Sequence, residues 1–278
     1  MIIIGNGIAG ITCARHIRKM SDFDITVISS ESKYFYSRTA LMYIYMGHMK
    51  QEHTQPYEDF FWEKNRINLI QAHVQKIESS QNFIALDNGI KMQYDFLVIA
   101  SGSKSNKFGW PGQDLKGVQG LYNLQDLETM EQHTKNINRA VVVGGGLIGI
   151  ETVEMLLTRN IAVSFLIREK SFWDGVLPAE ESEMINRLIR HHKVDLQLET
   201  ELKEIKSVDG SKVSSVVTSN GKEIVCGFVA LTVGVSPNID FIKDSGIETD
   251  RGVLIDNNLE RTLKIFFPLA IVPNLKNL

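Results

Sequence analysis

The sequence predicts an α/β protein made of two domains of one design, each a parallel-sheet unit with a β-hairpin excursion. Three observations carry this. An apolar strand that stops at a Gly-x-Gly-x-x-Gly turn and continues into a helical pattern occurs twice, near the start of the chain and again from Ala140. An Asn-Gly dipeptide between strand-like segments follows each unit, at Asn88-Gly89 and Asn220-Gly221. Thirteen residues after the glycine of each dipeptide, an apolar return strand ends at another glycine, Gly102 or Gly234. Equal spacing in both halves marks an internal repeat.

Taken in order, Ile2-Ile3-Ile4 is the first strand and ends at Gly5-Asn6-Gly7-Ile8-Ala9-Gly10. Ile8, Ile11, Ala14, Ile17 and Met20 then recur at helical spacing, and Ile25 to Ile28 reads as the next strand. Tyr34-Phe35-Tyr36, Tyr43 and Tyr45 are expected to pack against this first unit, and Tyr57, Phe60, Phe61 and Trp62 to form core at helical spacing. Trp110-Pro111-Gly112, in a stretch rich in Gly, Ser, Lys and Asn, reads as a linker. Ala140 to Val143 is the second initial strand, stopping at Gly144-Gly145-Gly146-Leu147-Ile148-Gly149. Its helix carries Ile150, Val153, Leu156 and Leu157, and Ile161 to Leu166 is the following strand. A further helix opens at Pro178 with Glu180-Glu181 and closes at His191-His192. That charge order suits the helix dipole and assigns the histidines to capping rather than to a metal.

The glycines have a chemical reason. The first of each motif allows a tight turn, the second removes a Cβ that would block a phosphate, and the third lets helix and strand approach. Gly5, Gly7 and Gly10 meet this requirement, as do Gly144, Gly146 and Gly149. A dinucleotide diphosphate is received there by the N–H groups and positive dipole of the helix N-terminus. Two such sites serve one nucleotide that stays and one that exchanges, a flavin and a nicotinamide. An acid at the end of the second strand, about 20 residues past the motif, binds ribose hydroxyls. Glu31, with Ser30 beside it, is the first candidate, and Arg168-Glu169 the second. Glu169 favours the free ribose of NADH while Arg168 can accept the 2′-phosphate of NADPH, and the balance tips slightly to NADH.

Composition narrows the classes. The chain has 278 residues, 30 Lys+Arg against 33 Asp+Glu, a formal net charge of −3 and 43% apolar residues. Interspersed charges without a basic field argue against nucleic acid and anionic membranes as partners. Its longest apolar stretch, Ala140 to Ile150, is broken by glycines and is far short of the ~20 residues that span a membrane. No basic segment precedes Ile2, so a signal peptide is not expected, and the protein is read as cytoplasmic. Two cysteines, Cys13 and Cys226, exclude a disulfide scaffold and a four-cysteine site, and both are expected to be inert packing residues.

These residues resemble the pyridine nucleotide-disulfide oxidoreductases. Within that family the chain is similar to the rubredoxin reductase, ferredoxin reductase and nitrite reductase flavin-domain group, over positions 1 to about 262. The resemblance implies two Rossmann-like domains with three-stranded excursions. An FAD domain comprises residues 1–109 and 236–278, with an NAD(P) domain, 110–235, inserted between them. It implies FAD at the first motif, with Gly5, Gly7, Ile8, Ala9 and Gly10 around the diphosphate. Tyr36-Ser37-Arg38-Thr39-Ala40-Leu41 resembles the family's Tyr-x-Arg-x-x-Leu, placing Arg38 beside FAD; Met42-Tyr43 stands where Ser-Lys is usual. Val74 falls where relatives contact adenine through the backbone. Asp95 to Gly102 resembles the strand passing the flavin, which brings in Ala100, Ser101 and Gly102. Gly144 to Glu151, with Leu147 and Ile148 between the glycines, implies the NAD(P)H site and places Glu151 near the nicotinamide. Gly234-Val235-Ser236-Pro237-Asn238 is similar to the family's crossing back to the FAD domain.

The implied reaction is hydride transfer from nicotinamide C4 to flavin N5, the protein supplying alignment and no assigned catalytic acid or base. None of the family's redox-cysteine patterns is present. The electrons are therefore expected to pass from the flavin to a small iron–sulfur protein such as a rubredoxin or ferredoxin. Alternatives are a quinone or oxygen as acceptor, or a nucleotide-binding remnant without turnover. The last rests on the ending. Leu254 to Thr262 resembles the approach to the family's Gly-Asp motif, yet no Gly-Asp follows, and Pro268 and Pro273 disfavour the expected strand and helix. A truncated copy with three residues left for its first strand, and with weakened FAD binding, is the expectation.

Overall fold

Ile2–Ile4 forms β1, with side chains buried on both sides, as a central parallel strand requires. The computed structural model describes residues 1–256 and the backbone of Phe266–Pro268. After β1 come α1 (Ile8–Met20), β2 (Ile25–Ser29), α2 (Leu41–Tyr45), α3 (Phe60–Lys64), β3 (Ile67–Gln71), β4 (Val74–Glu78), β5 (Phe83–Leu86), β6 (Lys91–Gln93), β7 (Leu97–Ile99) and β8 (Ser103–Ser105). β1 pairs in parallel with β2 and β7, and β2 with β3. Alternation divides β1 between two cores. Ile2 and Ile4 meet Leu97, Ile99 and the excursion residues Ile77, Ile84 and Leu86, while Ile3 meets Ile11 and Ala14 of α1 with Val98 and Trp62. The excursion is the antiparallel sheet β4-β5-β6, turned at Asn88-Gly89 with Gly89 at φ +81°.

The second half repeats this plan. It contains β9 (Val118–Gln119), α4 (Leu124–Thr134), β10 (Arg139–Val143), α5 (Leu147–Thr158), β11 (Ala162–Leu166), α6 (Ala179–His191), β12 (Asp195–Gln197), β13 (Leu202–Lys206), β14 (Ser215–Thr218), β15 (Glu223–Val225) and β16 (Phe228–Leu231). Its parallel sheet has the order β12-β11-β10-β16-β9, and its excursion is the antiparallel sheet β13-β14-β15. Gly221, at φ +82°, makes the hairpin turn as Gly89 does. Val141 and Val143 of β10 pack with Val229 and Leu231 of β16 over Leu202, Val216 and Ile224 of the excursion, the counterpart of the first core. The chain then continues through β17 (Val235–Pro237), which pairs with β8, to β18 (Phe266–Pro268).

Two compact units result. One comprises Met1–Arg38, Lys50–Lys104 and the chain from Ser236; the other comprises Thr39–Met49 and Ser105–Val235. Four local expectations are corrected. Tyr45, expected against the first unit, is wholly buried in the second, its hydroxyl 2.7 Å from Thr134 Oγ1 of α4 and its ring beneath the Arg159 guanidinium at 4.6 Å. Arg159 also donates to the Tyr45 carbonyl, so a short helix from early in the sequence is held where local periodicity could not place it. Trp110-Pro111-Gly112 is no loose linker: Trp110 packs on the second core, and a Cβ at Gly112 would stand 2.1 Å from the Ile205 carbonyl oxygen. Pro268, expected to oppose a strand, lies in β18, parallel to β7 and opposite Ile99. β18 is the edge of its sheet, where proline is tolerated. Leu254 to Asp256 are described; the rest of the stretch to Thr262, and Pro273, lie outside the described residues. Of the expected aromatic core helix, Trp62 is buried, whereas Phe60 is exposed.

Candidate functional site

Both glycine turns are built from the same bonds. The Gly5 N–H donates to the Ile28 carbonyl (2.7 Å) and the Gly144 N–H to the Leu166 carbonyl (3.0 Å). Gly5 (φ +107°) and Gly144 (φ +109°) occupy backbone that L side chains avoid. A Cβ there would lie 2.1 Å from the Ala100 carbonyl oxygen and 2.6 Å from that of Thr232. At Gly10 and Gly149 a Cβ would fall 2.0 and 2.1 Å from the carbonyl oxygens of Gly5 and Gly144. The protein's own backbone therefore demands all four outer glycines.

The middle glycines are different. Gly7 and Gly146 have ordinary φ values of −67° and −85°, and a Cβ added to either meets nothing within 4 Å. Among the described residues no contact requires glycine there, and the space a Cβ would fill is open. α1 and α5 begin at the next residue, with no side-chain cap and no acid in the first turn. Their leading N–H groups have no intrahelical acceptor and their positive ends face outward, which suits a diphosphate. Ile8 and Leu147 are exposed beside the turns, while Ala9 and Ile148 are half-buried. This cradle fits a dinucleotide in both units.

Around the first turn, Glu31 stands two residues past β2. Its Oε2 is 2.7 Å from Arg38 Nη2, its Oε1 is 3.2 Å from Arg38 Nη1, and the buried Tyr36 hydroxyl donates to the same Oε1. The Arg38 guanidinium lies 5.5 Å over the Tyr36 ring. Ala100 closes the return strand with its N–H on the Ile4 carbonyl (2.8 Å). Ser101 Oγ donates to the Asn238 carbonyl (2.7 Å), and the Asn238 N–H to that of Gly102 (2.9 Å), so the crossing segment is pinned to the strand end. Val74 buries its side chain in the core, so any ligand contact at that position falls to its backbone.

Around the second turn, the Thr232 N–H donates to the Val143 carbonyl (2.9 Å), as Ala100 does to Ile4. Thr232 Oγ1 adds bonds to the Val143 (2.8 Å) and Gly144 (3.1 Å) carbonyls. Sequence reasoning missed Thr232, although its equivalence to Ala100 in the repeat was available. Arg168 Nε lies 2.9 Å from Glu169 Oε1 at the mouth of the strand, and Arg168 is largely exposed. Partial burial, with Glu154 nearby, pushes the Glu151 carboxyl above its ordinary range. Gly234, at φ +87°, accepts from the Asn106 N–H (3.1 Å) at the end of the return strand.

The thiols stand outside this chemistry. Burial raises the Cys13 thiol and pushes Cys226 up to about 12, so neither presents a thiolate at neutral pH. Among the described residues no group of three or more His, Cys, Asp or Glu is placed to hold a metal, and no helix is long and apolar enough to cross a membrane.

Residues 1–267 match the pyridine nucleotide-disulphide oxidoreductase family. The chain is 26% identical over 263 residues to the nitrite reductase [NAD(P)H] of Bacillus subtilis, covering 94% of this chain and 32% of that protein. It is 29% identical over 265 residues to the NADH-rubredoxin oxidoreductase of Clostridium acetobutylicum, covering 95% of this chain and 65% of that one. Its fold is that of a ferredoxin reductase from Rhodopseudomonas palustris, with a TM-score of 0.88 at 24% identity over 96% of this chain and 67% of the other. The chain thus spans about a third of the nitrite reductase and just under two thirds of the rubredoxin reductase. With its paired glycine turns, its two parallel sheets and this match along nearly all its length, the chain belongs to the pyridine nucleotide-disulphide oxidoreductase family.

Proposed function

We propose that the chain is a cytoplasmic flavoprotein that binds FAD at the first turn and NADH at the second, and passes electrons to a small iron–sulfur protein such as a rubredoxin or ferredoxin. The observation that carries this is the pair of middle glycines, Gly7 and Gly146, whose missing Cβ atoms answer to nothing inside the protein. The names of two relatives, a nitrite reductase [NAD(P)H] and an NADH-rubredoxin oxidoreductase, support electron flow from a reduced nicotinamide. Residues 1–109 with 236–278 form the flavin domain in this reading and 110–235 the nicotinamide domain; the two compact units follow this division except that 39–49 and 105–109 fall with the second unit. Two unpaired thiols and a nicotinamide substrate fit a reducing compartment.

FAD, when bound, supplies the ring that takes a hydride from the nicotinamide and releases electrons to the acceptor. The residues do the rest. The backbone of Gly5, Gly7, Ile8, Ala9 and Gly10 receives one diphosphate, and that of Gly144 and Gly146 to Gly149 the other. Glu31 accepts from the adenosine ribose, Arg38 sets its charge against the diphosphate side, and the Val74 backbone meets adenine. Ala100, Ser101 and Gly102 line the flavin from a strand end that Asn238 holds still. Glu151 and Gly234 border the nicotinamide.

At Arg168-Glu169 the guanidinium is engaged by its neighbour's carboxylate. A 2′-phosphate would have to displace that carboxylate, whereas ribose hydroxyls can donate to it, so NADH is preferred. Neither cysteine offers a thiolate to take the electrons. They leave by another route, and a one-electron protein carrier is the acceptor that the rubredoxin reductase relative names. A visible absorption spectrum of the purified chain, taken before and after anaerobic NADH, tests this. A flavin spectrum that bleaches with NADH is expected; a protein that stays colourless after incubation with FAD refutes the assignment.

A further inference from the structure

The two turns share a backbone but differ in one side chain. Between the first two glycines the second turn carries Gly145, where a Cβ would press on Ile167 Cγ2 at 3.1 Å. The first carries Asn6, which is buried. Its Nδ2 donates to the Ser32 carbonyl at 2.7 Å, with Ser32 Oγ at 3.4 Å and the Lys33 carbonyl at 3.5 Å. Ser32 is the residue after Glu31, so a side chain inside the phosphate turn fastens the segment that carries the ribose acid.

Glu31 is then held from every direction along the chain. Its N–H donates to Ser29 Oγ (3.3 Å) on one side, and Asn6 anchors Ser32 on the other. Ser32 Oγ in turn donates to the Tyr34 carbonyl (2.9 Å), leading to Tyr36 and Arg38, which grip the carboxylate. At the second site the carboxylate of the corresponding acid meets an exposed arginine next to it in the sequence; its carbonyl accepts from the Glu199 N–H (3.0 Å), but glycine offers no side-chain tether from the turn itself. A site ordered before its ligand arrives loses less freedom on binding and holds the ligand more tightly.

We propose that Asn6 is a positioning residue of the first nucleotide site, fixing Glu31 against the phosphate turn. The inference rests on FAD occupying the first site. Glu31 meets the ligand, and Asn6 acts through Glu31.

A double-mutant cycle on the full chain tests this, reading the FAD dissociation constant of the apoprotein from flavin fluorescence quenching. Asn6→Gly reproduces the second turn, and Glu31→Gln removes the ribose acceptor's charge. Asn6→Gly is expected to weaken FAD about tenfold, as loss of one well-placed buried hydrogen bond would. In the Glu31→Gln background the same change is expected to weaken it less than about twofold, because the charged acceptor that Asn6 positions is gone. Effects that multiply in the double variant, or FAD binding unaltered by Asn6→Gly, overturn the proposal. The melting temperature of each apoprotein identifies a loss that is merely structural, since such a loss persists in the Glu31→Gln background. Failure of the unaltered chain to bind FAD would instead refute the assignment of the first site, and this inference with it.

Discussion

Arg38 and Glu31, seven residues apart, meet through a 2.7 Å ion pair at the end of the strand after the first glycine turn, with the Tyr36 hydroxyl on the same carboxylate. The pair is partly shielded, with side chains 34% and 17% exposed, so it belongs to neither the negligible surface class nor the fully desolvated one. Its value lies in orientation. Arg38→Gln keeps much of the side chain but removes the fork that grips both carboxylate oxygens. We expect FAD affinity to fall by about tenfold, equivalent to about 1.4 kcal/mol, with the loss shrinking at high salt. Titration of apoprotein with FAD at two ionic strengths measures both effects.

The glycines separate folding from binding. Gly10→Ala drives a Cβ to 2.0 Å from the Gly5 carbonyl oxygen, so backbone must shift, and we expect the apoprotein to lose about 1–3 kcal/mol. Gly7→Ala meets open space. Its lower unfolded-state entropy and its poorer fit as a helix N-cap offset one another, leaving the apo melting point nearly unchanged. FAD binding should nevertheless weaken by on the order of a hundredfold, about 2.7 kcal/mol, because the methyl occupies the phosphate's approach. Calorimetry of apoproteins beside FAD titration distinguishes the two variants, and equal destabilisation would refute the distinction. Gly149→Ala and Gly146→Ala should repeat the contrast for NADH.

Glu151 gives a pH dependence of known sign. Its folded carboxyl titrates above the ordinary carboxylate range, chiefly through burial and secondarily through Glu154. The unfolded chain therefore releases this proton first, and stability falls as pH rises from the ordinary carboxylate value through the raised folded one. Above that value the loss is complete. Glu151→Gln should melt higher than the unaltered apoprotein at pH 7 and level with it near pH 3. Solvent screening of this exposed side chain keeps the gain to about 0.5 kcal/mol or less. Thermal melts at the two pH values check it, and a higher melting point confined to low pH would reverse the assignment.

Tyr45 anchors α2 within the second unit. Its hydroxyl lies 2.7 Å from Thr134 Oγ1 in a fully buried site, and Thr134 also donates to the Met130 carbonyl (2.7 Å). Tyr45→Phe leaves Thr134 with that second bond. The cost should be about 1 kcal/mol, or a melting point lower by roughly 2–4 °C for a unit of this size. FAD affinity should be unaffected, because Tyr45 is packed on Thr134 and Arg159 of the second unit; a variant that loses FAD without losing stability would contradict this placement.

What could be read from the chain follows how local each cause is. The βαβ repeat was legible because alternation, helical spacing and Asn-Gly turns are short-range signals. Of the six motif glycines, the four outer ones were legible because a positive φ at Gly5 and Gly144, or a carbonyl about 2 Å from a Cβ at Gly10 and Gly149, leaves room for no other residue, whereas the middle pair was legible only through the phosphate approach that the motif implies. Thr232 was harder, since only the repeat aligns it with Ala100. Pro268 misled because a proline opposes a strand only where its missing N–H is needed, and edge position is a property of the whole sheet.

The sequence by itself determined that two phosphate-binding turns of one design would form, each opening a helix on a parallel sheet. Backbone stereochemistry over a few residues settles that. Only the tertiary structure decided which distant residues brace them. Asn6 reaches Ser32 across 26 positions, and Tyr45 reaches Thr134 across 89. No periodic pattern encodes such meetings, because they depend on where a folded chain brings a side chain back to one it left far behind.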